Sequence, residues 1–217
     1  MRPSDATHQM RLPLRRDGVE TELDFVLSDS NRAAVTGLDA WPNAVAGPVM
    51  ALCGPEGSGK STVAGRWAEK RGAVILHGSE AAVVDPLDLE GANIVLDRAQ
   101  DADDESLFHL INLAMAGGAL LLVSRRAPRD WPAALPDLRS RLDALPLLVV
   151  ETPDDMLLAA MLRRAFSERS IVPPEDVIDY LVRRIDRSWA AAQGVVERLD
   201  ALHRPITRAA ARVVLEG

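Results

Sequence analysis

Short apolar runs alternate with helical patterns through the middle of the chain. PVMALCG (48–54), AVILHG (73–78), NIVLD (93–97), ALLLVS (119–124) and LPLLVVE (145–151) are continuous apolar runs of strand length. Between them, residues 59–71 and 105–116 read as helices. Strands that are apolar on both faces and separated by helices predict a parallel sheet covered on both sides, an α/β fold. Ahead of the first strand, Asp29 or Ser30 is the expected cap of a helix through Asn31, Ala34 and Leu38 that ends before Pro42. After Glu151 the pattern is helical only. Thr152-Pro153-Asp154-Asp155 reads as a helix start, with Thr152 as N-cap and Pro153 in the first position. Leu157, Met161, Leu162 and Phe166 share one face, Val177, Leu181 and Ile185 a second, and Val195, Leu199 and Leu202 a third. The expected layout is a flexible tail over 1–20, an α/β domain over 21–151 and a small all-helical lid domain over 152–217.

Composition narrows the function. A chain of 217 residues is long enough for one α/β core and a small second lobe. Its formal net charge is −7. Proteins that hold duplex DNA by its phosphates draw affinity from Lys and Arg, so direct sequence-specific DNA binding is not expected. Cys53 is the single cysteine, which excludes an intramolecular disulfide, and a buried inert thiol is its expected state. The first residues hold no apolar stretch of signal-peptide length, and no run approaches the roughly 18 apolar residues a membrane helix needs. No membrane partner is expected, and a cytoplasmic location follows by elimination.

The chemistry concentrates in Gly54-Pro55-Glu56-Gly57-Ser58-Gly59-Lys60-Ser61, followed by Thr62. It fits the P-loop pattern G-x-x-x-x-G-K-[ST], and lies between an apolar strand and a helix, the context that pattern requires. Glycines let backbone N–H groups converge on phosphate oxygens, and the helix beginning near Gly59 adds its positive end. Lys60 is expected at the β- and γ-phosphates, and the Ser61 hydroxyl on Mg²⁺. The strand NIVLD ends in Asp97, the expected second Mg²⁺ residue. A nucleoside di- or triphosphate with Mg²⁺ is therefore the expected ligand. The next residue is Arg98, where hydrolysing P-loop proteins usually carry a second acid, so weak intrinsic hydrolysis is expected.

With both motifs in place, the chain resembles the AAA+ module of the DnaA replication-initiator family, and within it the regulatory inactivators known as Hda. The carriers are Phe25-Val26 with Asn31 and Ala34, GPEGSGKS, IVLDRAQ with Gln100, LLLVSRRAP (120–128), LPDLRSRL (135–142) and the helical lobe. The resemblance implies the Hda layout, an AAA+ module expected to lack both DnaA's N-terminal domain and its DNA-binding domain. In that family Q-L-x-L-P-L peptides dock on the sliding clamp. Gln9-Met10-Arg11-Leu12-Pro13-Leu14 is similar, with Gln9, Met10, Leu12, Pro13 and Leu14 as clamp-binding residues. Pro13 would reduce the ordering cost of such a peptide.

The resemblance implies a job. The tail docks on the DNA polymerase III sliding clamp (beta subunit), the body contacts ATP-bound DnaA, and Arg141, matching the family's arginine finger, promotes hydrolysis of DnaA's ATP in trans. Arg139 is the poorer finger candidate. Homo-oligomerisation is left open. Some positions depart from the pattern. Arg125 stands where the family usually has an acidic residue, so Ser124 is the alternative first sensor. Ala190 aligns with the second-sensor arginine, with Arg187 one turn earlier as substitute nucleotide ligand. Other readings stay open: a small P-loop kinase, a DnaA-like or loader-type ATPase acting on single-stranded DNA, and a diverged paralogue that retains only clamp or DnaA binding.

Overall fold

The computed structural model describes residues 25–41 and 47–216. The elements run α1 (Asp29–Ala40), β1 (Val49–Cys53), α2 (Lys60–Arg71), β2 (Val74–His77), β3 (Asn93–Asp97), α3 (Asp104–Ala116), β4 (Ala119–Ser124), α4 (Pro136–Ala144), β5 (Leu147–Val149), α5 (Asp155–Ser167), α6 (Glu175–Val182), α7 (Trp189–Asp200) and α8 (Arg208–Glu216). All strand pairs are parallel, in the order β2-β3-β4-β1-β5.

The alternation of side chains along β4 explains the apolar runs. Leu120 and Leu122 pack toward Leu107, Leu110 and Ile111 of α3 and Leu138 and Leu142 of α4. Leu121 and Val123 face the other way, onto a cluster with Ala34 and Leu38 of α1 and Val63, Ala64 and Trp67 of α2. A strand with a core on each face has no polar positions to spare, so it reads as one continuous apolar segment. Trp41 and Trp67 stack at 5.0 Å between centroids and join α1 to α2.

Helices α5 to α8 enclose a cluster of their own around Leu162, Phe166, Ile178, Leu181, Val196 and Leu199. Leu158, also fully buried there, was absent from the face assigned by periodicity. The helix begins at Asp155 rather than after Thr152, because Asp154 is its N-cap. Its carboxylate accepts from Leu157 N at 2.8 Å and also from Ser30 N at 3.3 Å, so a single acid serves the starts of α5 and α1. A threonine hydroxyl two residues earlier has no comparable reach.

Two other expectations shift. The cap of α1 is Ser28, not Asp29 or Ser30; its N–H donates to Asn31 Oδ1 at 2.9 Å, and Asn31 Nδ2 donates to Val26 O at 2.9 Å. The connection between β4 and β5 carries α4, which periodicity did not reveal because only Leu138 and Leu142 of its residues are buried. Arg139 anchors that connection, donating to Trp131 O at 2.6 Å and Pro128 O at 2.9 Å.

Candidate phosphate-binding site

The carboxyl ends of β1, β4 and β3 lie side by side and deliver Cys53, Ser124 and Asp97 to one rim of the sheet. In open parallel sheets, ligands bind at this rim, where helices begin. The segment from Gly54 to Gly59 crosses it and α2 starts at Lys60.

Each glycine of the loop has its own reason. A Cβ on Gly54 would lie 2.1 Å from the Val150 carbonyl oxygen, so the loop leaves β1 in contact with backbone. Gly57 has φ +72°, and a Cβ there would meet the Ser188 Cβ at 2.6 Å. Packing alone thus calls for glycine at both positions. The start of α7 rests on the loop, and a side chain at Gly57 would lift it.

A cleft of about 190 Å³ opens over this segment, lined by Glu56, Gly57, Lys60, Ser61, Asp97, Arg98, Gln100, Ser124 and Arg125. Lys60 Nζ donates to Pro55 O at 2.6 Å, and Ser61 Oγ to Asp97 Oδ2 at 3.1 Å. Burial pushes the Lys60 ammonium below its ordinary value, with Asp97 opposing and Arg125 adding to the fall. A partly desolvated cation beside a hydroxyl–carboxylate pair suits a phosphate chain with a hard divalent ion, which takes one or two protein carboxylates and completes its shell from phosphate and water. Ser58 Oγ and Gln100 Oε1 are buried without a hydrogen-bond partner. Buried polar atoms without a partner are costly, and Trp67 Nε1 and Arg139 Nε share that state away from the cleft. Among the described residues no group of three or more His, Cys, Asp or Glu is arranged to hold a metal by itself.

Arg98 adopts a left-handed backbone conformation, φ 53°, and pairs with Asp101 at 2.7 Å. Arg125 reaches back across the cleft to Glu56, 3.1 Å away. Ser124 Oγ donates to Arg126 O at 2.6 Å. Pro55, Ser58 and Thr62 belong to the loop and helix without lining the cleft. Neither does Arg187 line it; its guanidinium is held by Pro153 O at 3.1 Å and by the Asp155 carboxylate. Ala190 is exposed on α7. Arg141 lies away from the cleft on α4, bonded to Asn112 Oδ1 at 2.7 Å and stacked 4.6 Å over the Phe108 ring of α3. Gln9, Met10, Leu12, Pro13 and Leu14 lie outside the described residues. Sequence reading missed the Glu56–Arg125 pair and the lining role of Gln100. No local signal could reveal the pair, since its members meet only when β1 and β4 are neighbours.

The fold has counterparts among solved structures. Domain III of the Thermotoga maritima replication initiation protein DnaA superposes with a TM-score of 0.69, covering 89% of this chain and 94% of that one at 18% identity. The fold is that of the AAA+ domain of DnaA. A DnaA structure bound to AMPPCP and single-stranded DNA gives a TM-score of 0.65 at 18% identity, over 85% of this chain and 65% of that one. By sequence, 117 residues are 32% identical to the chromosomal replication initiator protein DnaA of Thermomicrobium roseum. This is homology to the AAA+ domain of DnaA. The match takes in 52% of this chain, which spans about a quarter (25%) of that DnaA's length. No family model matches the chain. Among the described residues, no helix is long and apolar enough to cross a membrane.

Proposed function

We propose that this chain is a nucleotide-binding regulator of chromosome replication initiation, which docks on the sliding clamp and promotes hydrolysis of ATP bound to DnaA. The observation that carries the reading is the cleft in which Lys60, Ser61 and Asp97 meet beside Arg98, on a DnaA-type AAA+ fold. Lys60 and the loop N–H groups would hold the phosphates of ADP or ATP, and Ser61 with Asp97 would hold Mg²⁺. The ion would supply charge neutralisation at the phosphates. With Arg98 occupying the place of a second acid and paired to Asp101, the cleft has no second carboxylate next to Asp97 to orient an attacking water. Binding with weak intrinsic hydrolysis is the expected behaviour.

The transferred chemistry would occur on a partner. Arg141 sits on the outside of the α/β body, half-buried against α3, and would swing from Asn112 and Phe108 onto the nucleotide of a neighbouring DnaA. Such contacts are heterologous, head to tail. The segment Gln9–Leu14 would supply the clamp ligand, weak alone and strengthened by several sites on one ring.

The deciding measurement is binding to the cognate clamp, wild type against Gln9→Ala/Leu12→Ala/Leu14→Ala. The wild type is expected to bind and the triple variant to lose at least about tenfold in affinity, roughly 1.4 kcal/mol. In a DnaA–ATP hydrolysis assay with loaded clamp, Arg141→Ala is expected to abolish stimulation. Absence of clamp binding by the wild type would remove the regulatory reading. One observation favours a second reading, a DnaA-like ATPase on single-stranded DNA: the similar DnaA structure that is bound to AMPPCP and single-stranded DNA. Binding of labelled single strands at moderate salt would support it.

A further inference from the structure

We infer, resting on the nucleotide site proposed above, that Glu56 and Arg125 form a charge switch that sets the preference between nucleoside diphosphate and triphosphate. Both residues line the same cleft as Lys60 and Ser61, one from the loop and one from the end of β4. Their ion pair spans 3.1 Å, with side chains 73% and 55% exposed. An exposed pair of this kind contributes little to stability, so it is not needed to hold the fold and is easily exchanged.

Its location gives the exchange a consequence. Lys60, Arg98 and Arg125 are the cations that line the cleft, and Asp97 and Glu56 the acids. Asp97 accepts from Ser61, Arg98 is held by Asp101 three residues on, and Lys60 is positioned by Pro55 O. Arg125 alone among these cations is paired to an acid of the loop itself. A guanidinium offers phosphate oxygens the same planar fork it offers a carboxylate, so a phosphate can compete with Glu56 for Arg125. A third phosphate brings a further negative charge, which Glu56 repels and Arg125 attracts. Occupancy by the triphosphate therefore requires Arg125 to leave Glu56, and Glu56 then faces the phosphates unpaired. A diphosphate makes the smaller demand and leaves the pair closed. Glu56 is thus the element that disfavours ATP, and Arg125 the one that permits it.

The test is the affinity of the full chain for ADP and for a non-hydrolysable ATP analogue, each with Mg²⁺, by calorimetry. Glu56→Gln is expected to raise the ATP-analogue-to-ADP affinity ratio by about two- to fivefold, and Arg125→Gln to lower it by a similar factor. Because the two residues compete, Arg125→Gln should cost more of the ratio in the Glu56→Gln background than in wild type. A ratio that moves in neither variant overturns the switch while leaving the nucleotide site standing. Failure of the wild type to bind either nucleotide overturns both. Both residues are exposed, and circular dichroism confirming the wild-type spectrum separates a lost fold from a lost contact.

Discussion

At the scale of single residues, Lys60 carries the sharpest consequence. Burial holds its ammonium below the ordinary 10.5, which means the folded site gives up the proton more readily than the unfolded chain. The sign follows. Phosphate affinity depends on the charged form and is expected to fall as pH rises through the depressed value, so the alkaline limb of ADP binding should begin below pH 10.5. Folding stability moves the other way, rising between the depressed value and the ordinary one, because the cost of burying the charge is relieved. An ADP-binding profile that stays flat up to 10.5 would contradict this account of Lys60. Lys60→Ala should lose binding at every pH. The residue type and its place were legible from G-x-x-x-x-G-K-[ST] alone. The reasons for Gly54 and Gly57 were not, since the Val150 carbonyl and Ser188 that crowd them come from β5's end and the start of α7.

At the scale of elements, the junction between α1 and α5 is set by Asp154. Burial raises the pKa of its carboxyl, but hydrogen bonds from Leu157 N, the Ser28 hydroxyl and Ser30 N outweigh that and bring it below its ordinary 3.8. A depressed carboxyl contributes stability that is present above the unfolded value and lost as pH falls through the folded one. Asp154→Ala should destabilise the protein by about 1–2 kcal/mol at neutral pH, the usual worth of an N-cap. Urea unfolding at pH 7 and pH 3 should show the gap between wild type and variant narrowing in acid. A constant gap would mean the loss is packing alone. Sequence reading missed this by two residues: Thr152-Pro153 satisfied the local rule for a helix start, and the second partner, Ser30, was invisible in the local pattern.

At the scale of the whole molecule, the helices after Glu151 have their own core. Among the described residues, polar and close-approach contacts join them to the α/β body: Asp154 with Ser30, and Ser188 with Gly57. Removing apolar volume from that core should loosen the helices without opening the sheet. Leu181 is fully buried among them, so Leu181→Ala should cost about 2–5 kcal/mol. The expected thermal melt has two phases: early loss of helical signal, then loss of the near-UV signal of the Trp41–Trp67 stack at the wild-type temperature. A single coincident transition would show that the junction couples the two cores into one cooperative unit. It would also bear on the charge switch, because α7 rests on Gly57 beside Glu56.

Apolar runs and helix periods by themselves determined the five strands and the parallel sheet, and the G-x-x-x-x-G-K-[ST] pattern placed a glycine-rich loop between β1 and α2. Each of those depends on residues close in the chain, or on a burial so complete that no polar residue interrupts it. Helix α4 escaped because two buried leucines make too faint a period. The strand order, the Glu56–Arg125 pair, the withdrawal of Arg187 to Pro153 and Asp155, and the seating of Arg141 on Phe108 were decided only in three dimensions. The physical reason is common to them. Long flexible cations take whichever carboxylate, carbonyl or ring the packed elements bring within reach, and that neighbour is chosen by the topology of the sheet and not by the residues beside them in the chain.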